Sequence, residues 1–385
     1  MSVQDLVPSR GQKRVSITNK LCSCSVHIAF IERTSWLARL ALVDPMANVQ
    51  INKKELKSLT QPAGKEVRNS TKTKRVLHIL LKIIVAVVIA ILLFIATVYT
   101  VNKISSHAEQ KRMEPYGQRI AVDGKQMNVF IQGQGEETIV ILPGYGTAAP
   151  ALDFKPLISE LIPYYKVVVI EPFGYGLSDR TQKERSTANI ASEIHEALQS
   201  LQINRYILMA HSISGLYSLD YVNQYPDEVR AFIGLDSSVP SLSEQKIDSS
   251  DTEPVKWFRN LGFARLQLKL SADPYEGLPY DQQTKEQLNI MIRKNMYNNT
   301  QLNEAVSMYS NFKAAEQLDF PPDLPILFLV QANHPVTDRW IPEHEKQLEE
   351  SVHGEMVLLD AGHYLYRSHP KEISDKIRDF TGGIK

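Results

Sequence analysis

The sequence predicts an α/β domain built on a mostly parallel sheet with helices on both faces. Three observations carry this. The runs Thr138–Leu142 (TIVIL) and Val167–Ile170 (VVVI) are β-branched and uncharged, as strands buried on both faces are. From about Gln118 onward, short apolar runs alternate with helical stretches. Several of these runs stop at glycine-rich or small-residue turns, which is where open α/β sheets gather their functional groups.

The elements follow in order. Arg119–Val122 and Gln126–Gln132 flank the turn dipeptide Asp123-Gly124 and read as a hairpin. After the two buried runs, Thr187–Leu201 has the spacing of an amphipathic helix. Tyr206–Met209 is a strand, Gly215–Gln224 a helix and Ala231–Leu235 another strand. Ile326–Val330 and Met356–Leu359 add two strands, and Pro370–Phe380 is a closing helix that Pro370 starts and Gly382 ends. Between Pro240 and Pro325 the strand signals cease, and Trp, Tyr, Met and Leu recur at helical spacing. The expected organisation is a core over 118–239 and 325–385 interrupted by a helical cap over 240–324.

Ahead of this domain stands Ile83–Val101, IIVAVVIAILLFIATVYTV, which holds no charge, Pro or Gly. As a helix it would cover about 28 Å, close to the hydrocarbon thickness of a bilayer. It is apolar all round, unlike the helices of soluble domains. Lys82 can snorkel and extend the run back through Val76–Leu81, so 76–101 is expected to cross a membrane. Lys65, Arg68, Lys72, Lys74, Arg75 and Lys82 precede it and fewer cations follow, which favours a cytoplasmic N-terminus and an extracytoplasmic C-terminal domain. A cleaved signal peptide is the competing reading, with Ser106-His107-Ala108 as its cleavage site. Residues 1–75 are polar and basic without a sustained period and are expected to be a disordered arm; 102–117 is expected to be a linker.

The composition, 43% hydrophobic and 22% charged over 385 residues, is that of a chain able to bury a large core. Net formal charge is zero, so nothing suggests a nucleic-acid partner. Cys22 and Cys24 are the only cysteines and lack the further ligands of a zinc site. No metal or cofactor is implied.

The chemistry is expected at the strand ends. After Tyr206–Met209 comes Ala210-His211-Ser212-Ile213-Ser214-Gly215, followed at once by a helix. A serine on a sharp strand-to-helix turn needs small neighbours two residues to either side, and Ala210 and Ser214 are small. Ser212 is therefore the candidate nucleophile, with the helix behind it aiming its positive end at a developing oxyanion. After TIVIL, Pro143-Gly144-Tyr145-Gly146 can offer the Tyr145 N–H as one oxyanion donor, with the Ile213 N–H as the other. Near the C-terminus His363 follows a strand and Gly362, placed to take the Ser212 proton. His211 is expected to pack beside the elbow, and His369 to begin a helix.

With these motifs in order, residues from about Gln118 to Phe380 resemble the α/β-hydrolase superfamily, specifically its capped serine esterases, lipases and proline iminopeptidase-like enzymes. PGYG is similar to the family's H-G-x-G turn with Pro143 in place of His. EPFGYGLSD resembles its D-x-P-G-x-G-x-S-D loop, AHSISG its G-H-S-x-G-G elbow, and AGHYLYRSHP its G-H-x-x-x-x-x-x-P end. The resemblance implies a Ser-His-acid triad cleaving an ester or amide through an acyl-enzyme; a peptidase is equally compatible. The family usually carries its acid in a G-x-x-D pattern after the strand that is here Ile326–Val330, but Gln331-Ala332-Asn333-His334 stands there. Two carboxylates can substitute: Asp236, at the end of Ala231–Leu235, is the favoured acid, and Asp338, four residues beyond the usual place, is the runner-up. A non-hydrolytic ligand-binding or sensor protein on the same fold is the alternative.

Overall fold

The computed structural model describes residues 70–242, 245–334, 338–349 and 351–384. The arm expected over 1–75, with Cys22 and Cys24, lies outside the described residues up to residue 69. Eight strands form one sheet: β1 (Gln118–Val122), β2 (Lys125–Gln132), β3 (Thr138–Leu142), β4 (Lys166–Glu171), β5 (Tyr206–His211), β6 (Val229–Leu235), β7 (Ile326–Gln331) and β8 (Gly354–Leu359). Their order is β1-β2-β4-β3-β5-β6-β7-β8. The hairpin β1–β2 and the pair β2–β4 are antiparallel, and every other pair is parallel.

The strand alternation sorts side chains into two cores. Val140, Val168, Leu208, Phe232 and Phe328 point to one face, and Ile139, Ile141, Val167, Ile207, Ile233 and Leu327 to the other. Because both faces are covered, the central strands are apolar at successive positions rather than at alternate ones. The first face is covered by the helix Thr187–Ser200, whose Ile190, Ile194, Ala197 and Leu198 recur at helical spacing and are buried. Ser186 caps it, its hydroxyl accepting from the Asn189 N–H at 3.3 Å. The second face is covered by Lys155–Leu161 and the C-terminal Pro370–Gly383, which contributes Ile373, Ile377 and Phe380. Lys155–Leu161 and Trp340–Leu348 carry too few turns for their period to stand out in the sequence.

Between β6 and β7 lie four longer helices, Ser249–Asn260, Phe263–Leu270, Gln282–Asn295 and Asn299–Ala315. Asp281 and Asn298 cap the last two through their side chains.

The first helix described, Ser70–Arg112, has 43 residues. Among the described residues it alone is long and apolar enough to cross a membrane, and no residue of its apolar window is buried. It does not stop at Val101. Residues 102–112, read above as part of a linker, contain no Pro or Gly and continue the helix. Asn102, Ser106 and Glu109 lie on one face of it, and all three accept hydrogen bonds from Arg265 on Phe263–Leu270, at 2.6–2.9 Å. Glu109 also accepts from Arg293, at 2.7 Å. This docking holds in helical form a polar segment that would fray by itself.

Candidate active site

β5 delivers Ser212 into the tight turn before the helix Ser214–Gln224. Ser212 has φ 55°, the left-handed region that side-chain-bearing residues seldom occupy, and such strain persists only where neighbours enforce it. Here the Ser212 N–H donates to the Leu235 carbonyl at 3.3 Å, and its carbonyl accepts from the Gly215 and Ser238 N–H groups at 2.9 and 2.8 Å. Neighbouring space is equally restricted. A Cβ on Gly144 would come within 2.5 Å of His211 Nδ1 and 2.9 Å of Ser212 Cβ, so the turn after β3 approaches the elbow as only glycine permits. Ser214, where the family has glycine, donates its hydroxyl to the Pro143 carbonyl at 2.5 Å and ties the two turns together.

His363 follows β8 and faces Ser212, its Nε2 lying 3.0 Å from the Ser212 Oγ. Its Nδ1 lies 2.6 Å from Oδ2 of Asp236. Asp236 ends β6 with φ 44° and is fully buried. Its other oxygen accepts from the Gln331 N–H at 3.1 Å and from the Trp340 indole N–H at 2.8 Å. Burial alone would push the Asp236 carboxyl up, but the His363 hydrogen bond and charge, then the Gln331 and Trp340 donors, hold it below the usual carboxylate range. An ionised Asp236 selects the tautomer in which His363 Nδ1–H donates to it and Nε2 is left as an acceptor facing the Ser212 hydroxyl. Asp338 is exposed, at the start of the loop into Trp340–Leu348. His334, at the family's usual acid position, stacks on the Trp340 ring with centroids 4.2 Å apart.

His211 is buried, its ring 4.7 Å from that of His363 between centroids. Burial, followed by the nearby His363, pushes its pKa well below the usual histidine value. The neutral ring donates from Nε2 to the His363 carbonyl at 3.0 Å, bracing the loop that carries His363. His369 sits at the N-terminus of the last helix. The Tyr145 side chain is buried, with its hydroxyl donating to the Gln301 carbonyl at 3.1 Å, so the turn after β3 is held from the helix Asn299–Ala315. Ile213 is the residue preceding Ser214–Gln224, at the positive end of that helix.

The structure thus brings Ser212, His363 and Asp236 into one hydrogen-bonded chain and leaves Asp338 apart. The Trp340 indole, which is 104 residues from Asp236, had no sequence signal; Ser214 and His211 were placed at the elbow by sequence, but their bonds to the Pro143 and His363 carbonyls were not. Among the described residues no cluster of three or more His, Cys, Asp or Glu is placed to hold a metal.

Comparison with known proteins agrees on the fold. YbdG of Bacillus subtilis (strain 168), itself uncharacterised, is 29% identical over 258 residues, 65% of this chain and 79% of its own. The 2-(acetamidomethylene)succinate hydrolase of Mesorhizobium japonicum is 24% identical over 131 residues, 34% of this chain and 46% of its own. Among solved structures, a thermophilic esterase from Thermogutta terrifontis superposes with a TM-score of 0.54 at 16% identity, over 70% of this chain and 99% of its own. A bacterial membrane phospholipase A superposes with a TM-score of 0.51 at 16% identity, over 80% of this chain and 98% of its own. The family model of the α/β-hydrolase fold matches residues 137–370, more than half of the chain, and with the sheet order and strand-end turns just described, the chain belongs to that family.

Proposed function

We propose that this chain is a membrane-tethered serine hydrolase that cleaves an ester or amide of a small molecule through an acyl-enzyme. The observation that carries the reading is the continuous chain from Ser212 Oγ through His363 to Asp236, at 3.0 and 2.6 Å. In the first half-reaction His363 Nε2 takes the Ser212 proton while Oγ attacks the substrate carbonyl. The Tyr145 and Ile213 N–H groups then stabilise the oxyanion. Asp236 stabilises the imidazolium so formed, and that imidazolium gives its proton to the leaving oxygen or nitrogen. In the second half-reaction water loses a proton to His363, attacks the acyl-serine and releases the acid, and Ser212 regains its hydrogen.

The helices from Ser249 to Ala315 form a cap over the strand ends in this reading, which is supported by the contacts of Gln301 and Glu304 near the elbow. The Tyr175 and Tyr217 hydroxyls both donate to Glu304, at 2.8 Å each. Ser70–Arg112 serves as an uncleaved anchor, with the N-terminus cytoplasmic and the catalytic domain on the other side. Two features support anchor over signal peptide: Ser106-His107-Ala108 lies within the helix, and Ser106 and Glu109 are bonded to Arg265.

A fluorophosphonate probe tests the chemistry. The full-length protein should be labelled, and Ser212→Ala should abolish labelling. A folded wild-type protein that stays unlabelled would instead support the non-hydrolytic ligand-binding alternative.

A further inference from the structure

The C-terminal part of Ser70–Arg112 and the helices packed on it enclose a cavity of about 270 Å3. Five cations line it, Arg180, Arg259, Arg265, Arg293 and Lys294, against one carboxylate, Glu109. Glu109 is already committed to Arg265 and Arg293, at 2.6 and 2.7 Å. Although burial alone would push its carboxyl up, those two arginines hold it below the usual range.

The other three cations meet only backbone carbonyls. Arg180 donates to Lys294 O at 3.1 Å, Arg259 to Met296 O and Lys294 O at 3.0 Å each, and Lys294 to Gly176 O at 2.9 Å. The nearby carboxylates are occupied elsewhere. Asp179 pairs with Arg119, and Glu171 accepts from Tyr116, Asn128 and the Leu177 N–H. Burial, then the neighbouring Arg180, pushes the Arg259 guanidinium down to about 10, and burial lowers Lys294. Glu171 and Asp179 act on Lys294 only at a distance, so cations outnumber carboxylates in the cavity, and a half-buried excess of positive charge is costly unless an anion completes it. Guanidinium forks fit phosphate oxygens in particular.

The height of the cavity says where that anion would come from. Ser106, the first wall residue on this helix, is five residues past the end of the apolar run at Val101, about 7.5 Å along a helix, which sets the membrane-side end of the cavity at the outer edge of the headgroups. The headgroup layer is about 5–7 Å thick on each side of the hydrocarbon. The turn before Phe263–Leu270 reaches lower, onto the apolar run itself: a Cβ on Gly262 would meet Asn102 and the Val98 carbonyl, and the Phe263 ring lies 6.2 Å from that of Phe94, so the domain sits directly against the membrane-side end of the helix. Trp257, 65% exposed on the preceding helix, suits the interface.

We propose that this cavity binds the phosphate of a glycerophospholipid headgroup in the leaflet facing the catalytic domain. The lipid source rests on reading Ser70–Arg112 as membrane-spanning; the phosphate chemistry does not.

The test uses the full-length protein in dodecyl maltoside micelles, with binding followed by tryptophan fluorescence. The probes are dioleoylphosphatidylglycerol, dioleoylglycerol as its phosphate-free counterpart, and inorganic phosphate at constant ionic strength. Phosphatidylglycerol should bind at least tenfold more tightly than dioleoylglycerol. Arg180→Gln and Arg259→Gln should each weaken it about tenfold, as loss of one charge-assisted bond would. Fluorophosphonate labelling of Ser212 reports folding of each variant. If Arg259→Gln unfolds, Arg180→Gln, at the exposed rim, carries the test. Variant-sensitive binding of inorganic phosphate with no preference for the lipid would overturn the lipid source. Equal binding of phosphatidylglycerol by wild type and variants would overturn the site itself. Release of the protein by carbonate, with micellar binding retained, would overturn the anchor alone.

Discussion

Asp236 is one carboxylate with three donors around it and no water-exposed surface, and in the proposed mechanism it acts through His363. Asp236→Asn should leave the fold intact and lower turnover on the order of 10⁴-fold, the loss known for the equivalent change in a serine protease, because an amide selects the wrong histidine tautomer. Asp338→Asn should be close to wild type in the same steady-state assay, since that carboxylate is exposed. The reverse ranking would move the acid to Asp338. Trp340→Phe keeps an aromatic ring but removes the indole N–H that Asp236 accepts at 2.8 Å. One buried acceptor bond is worth about 1–3 kcal/mol when broken, so kcat should fall roughly tenfold with KM little changed. The lowered pKa of Asp236 also gives a pH dependence. Its ionised form favours the folded state, so that stability is fully present above the ordinary carboxylate pKa of 3.8 and is lost as pH falls through the lowered value. Melting curves should show wild type losing stability in that acid window, with the loss smaller in Asp236→Asn.

At the scale of elements, one contact governs how the long first helix meets the helices after β6. Gly262 has φ 92°, and a Cβ there would come within 2.6 Å of Asn102 Cβ and 3.0 Å of the Val98 carbonyl. Gly262→Ala should therefore cost about 1–3 kcal/mol from backbone strain alone, plus whatever the clash adds by parting the helices. The expected result is a lower melting temperature in detergent and new tryptic cleavage near Lys103 and Lys111. Melting and digestion unchanged from wild type would show that the helices do not depend on this close approach. The elbow is buttressed differently, through the Ser214 hydroxyl on Pro143 O, a bond that the glycine usual at this position could not make.

For the whole molecule, the anchor and its orientation are the consequences to check. An uncleaved Ser70–Arg112 helix predicts that the protein resists carbonate extraction and needs detergent for release; a mature N-terminus at Glu109 would exclude this. Orientation can be read with cysteine chemistry, because Cys22 and Cys24 are the only native thiols. Leu270, 81% exposed on a helix packed against the polar end of Ser70–Arg112, provides the position. Leu270→Cys should react with an impermeant maleimide on sealed right-side-out vesicles, whereas wild type should react only after permeabilisation. Labelling of wild type on sealed vesicles would invert the topology.

The strands, the elbow serine and the histidine were legible because each is written in adjacent residues. TIVIL and VVVI carry their two-sided burial in composition, and the turn at Ser212 needs small residues at fixed offsets that a single sequence displays. The acid was not legible to the same degree. Asp236 and Asp338 both follow strands, and only the sheet order, with β6 between β5 and β7, sets the first beneath a histidine 127 residues away. The same reason hid Trp340, the bond from Ser214 to Pro143 and the cation-lined cavity, whose members come from the first helix, the loop after β4 and the helices after β6. The polar end of the first helix has no apolar stripe to announce it, and its order comes from Arg265 and Arg293, more than 150 residues on. Local backbone preference and burial pattern are properties of neighbours in the chain. Which charges meet is a property of packing, and packing alone decided it.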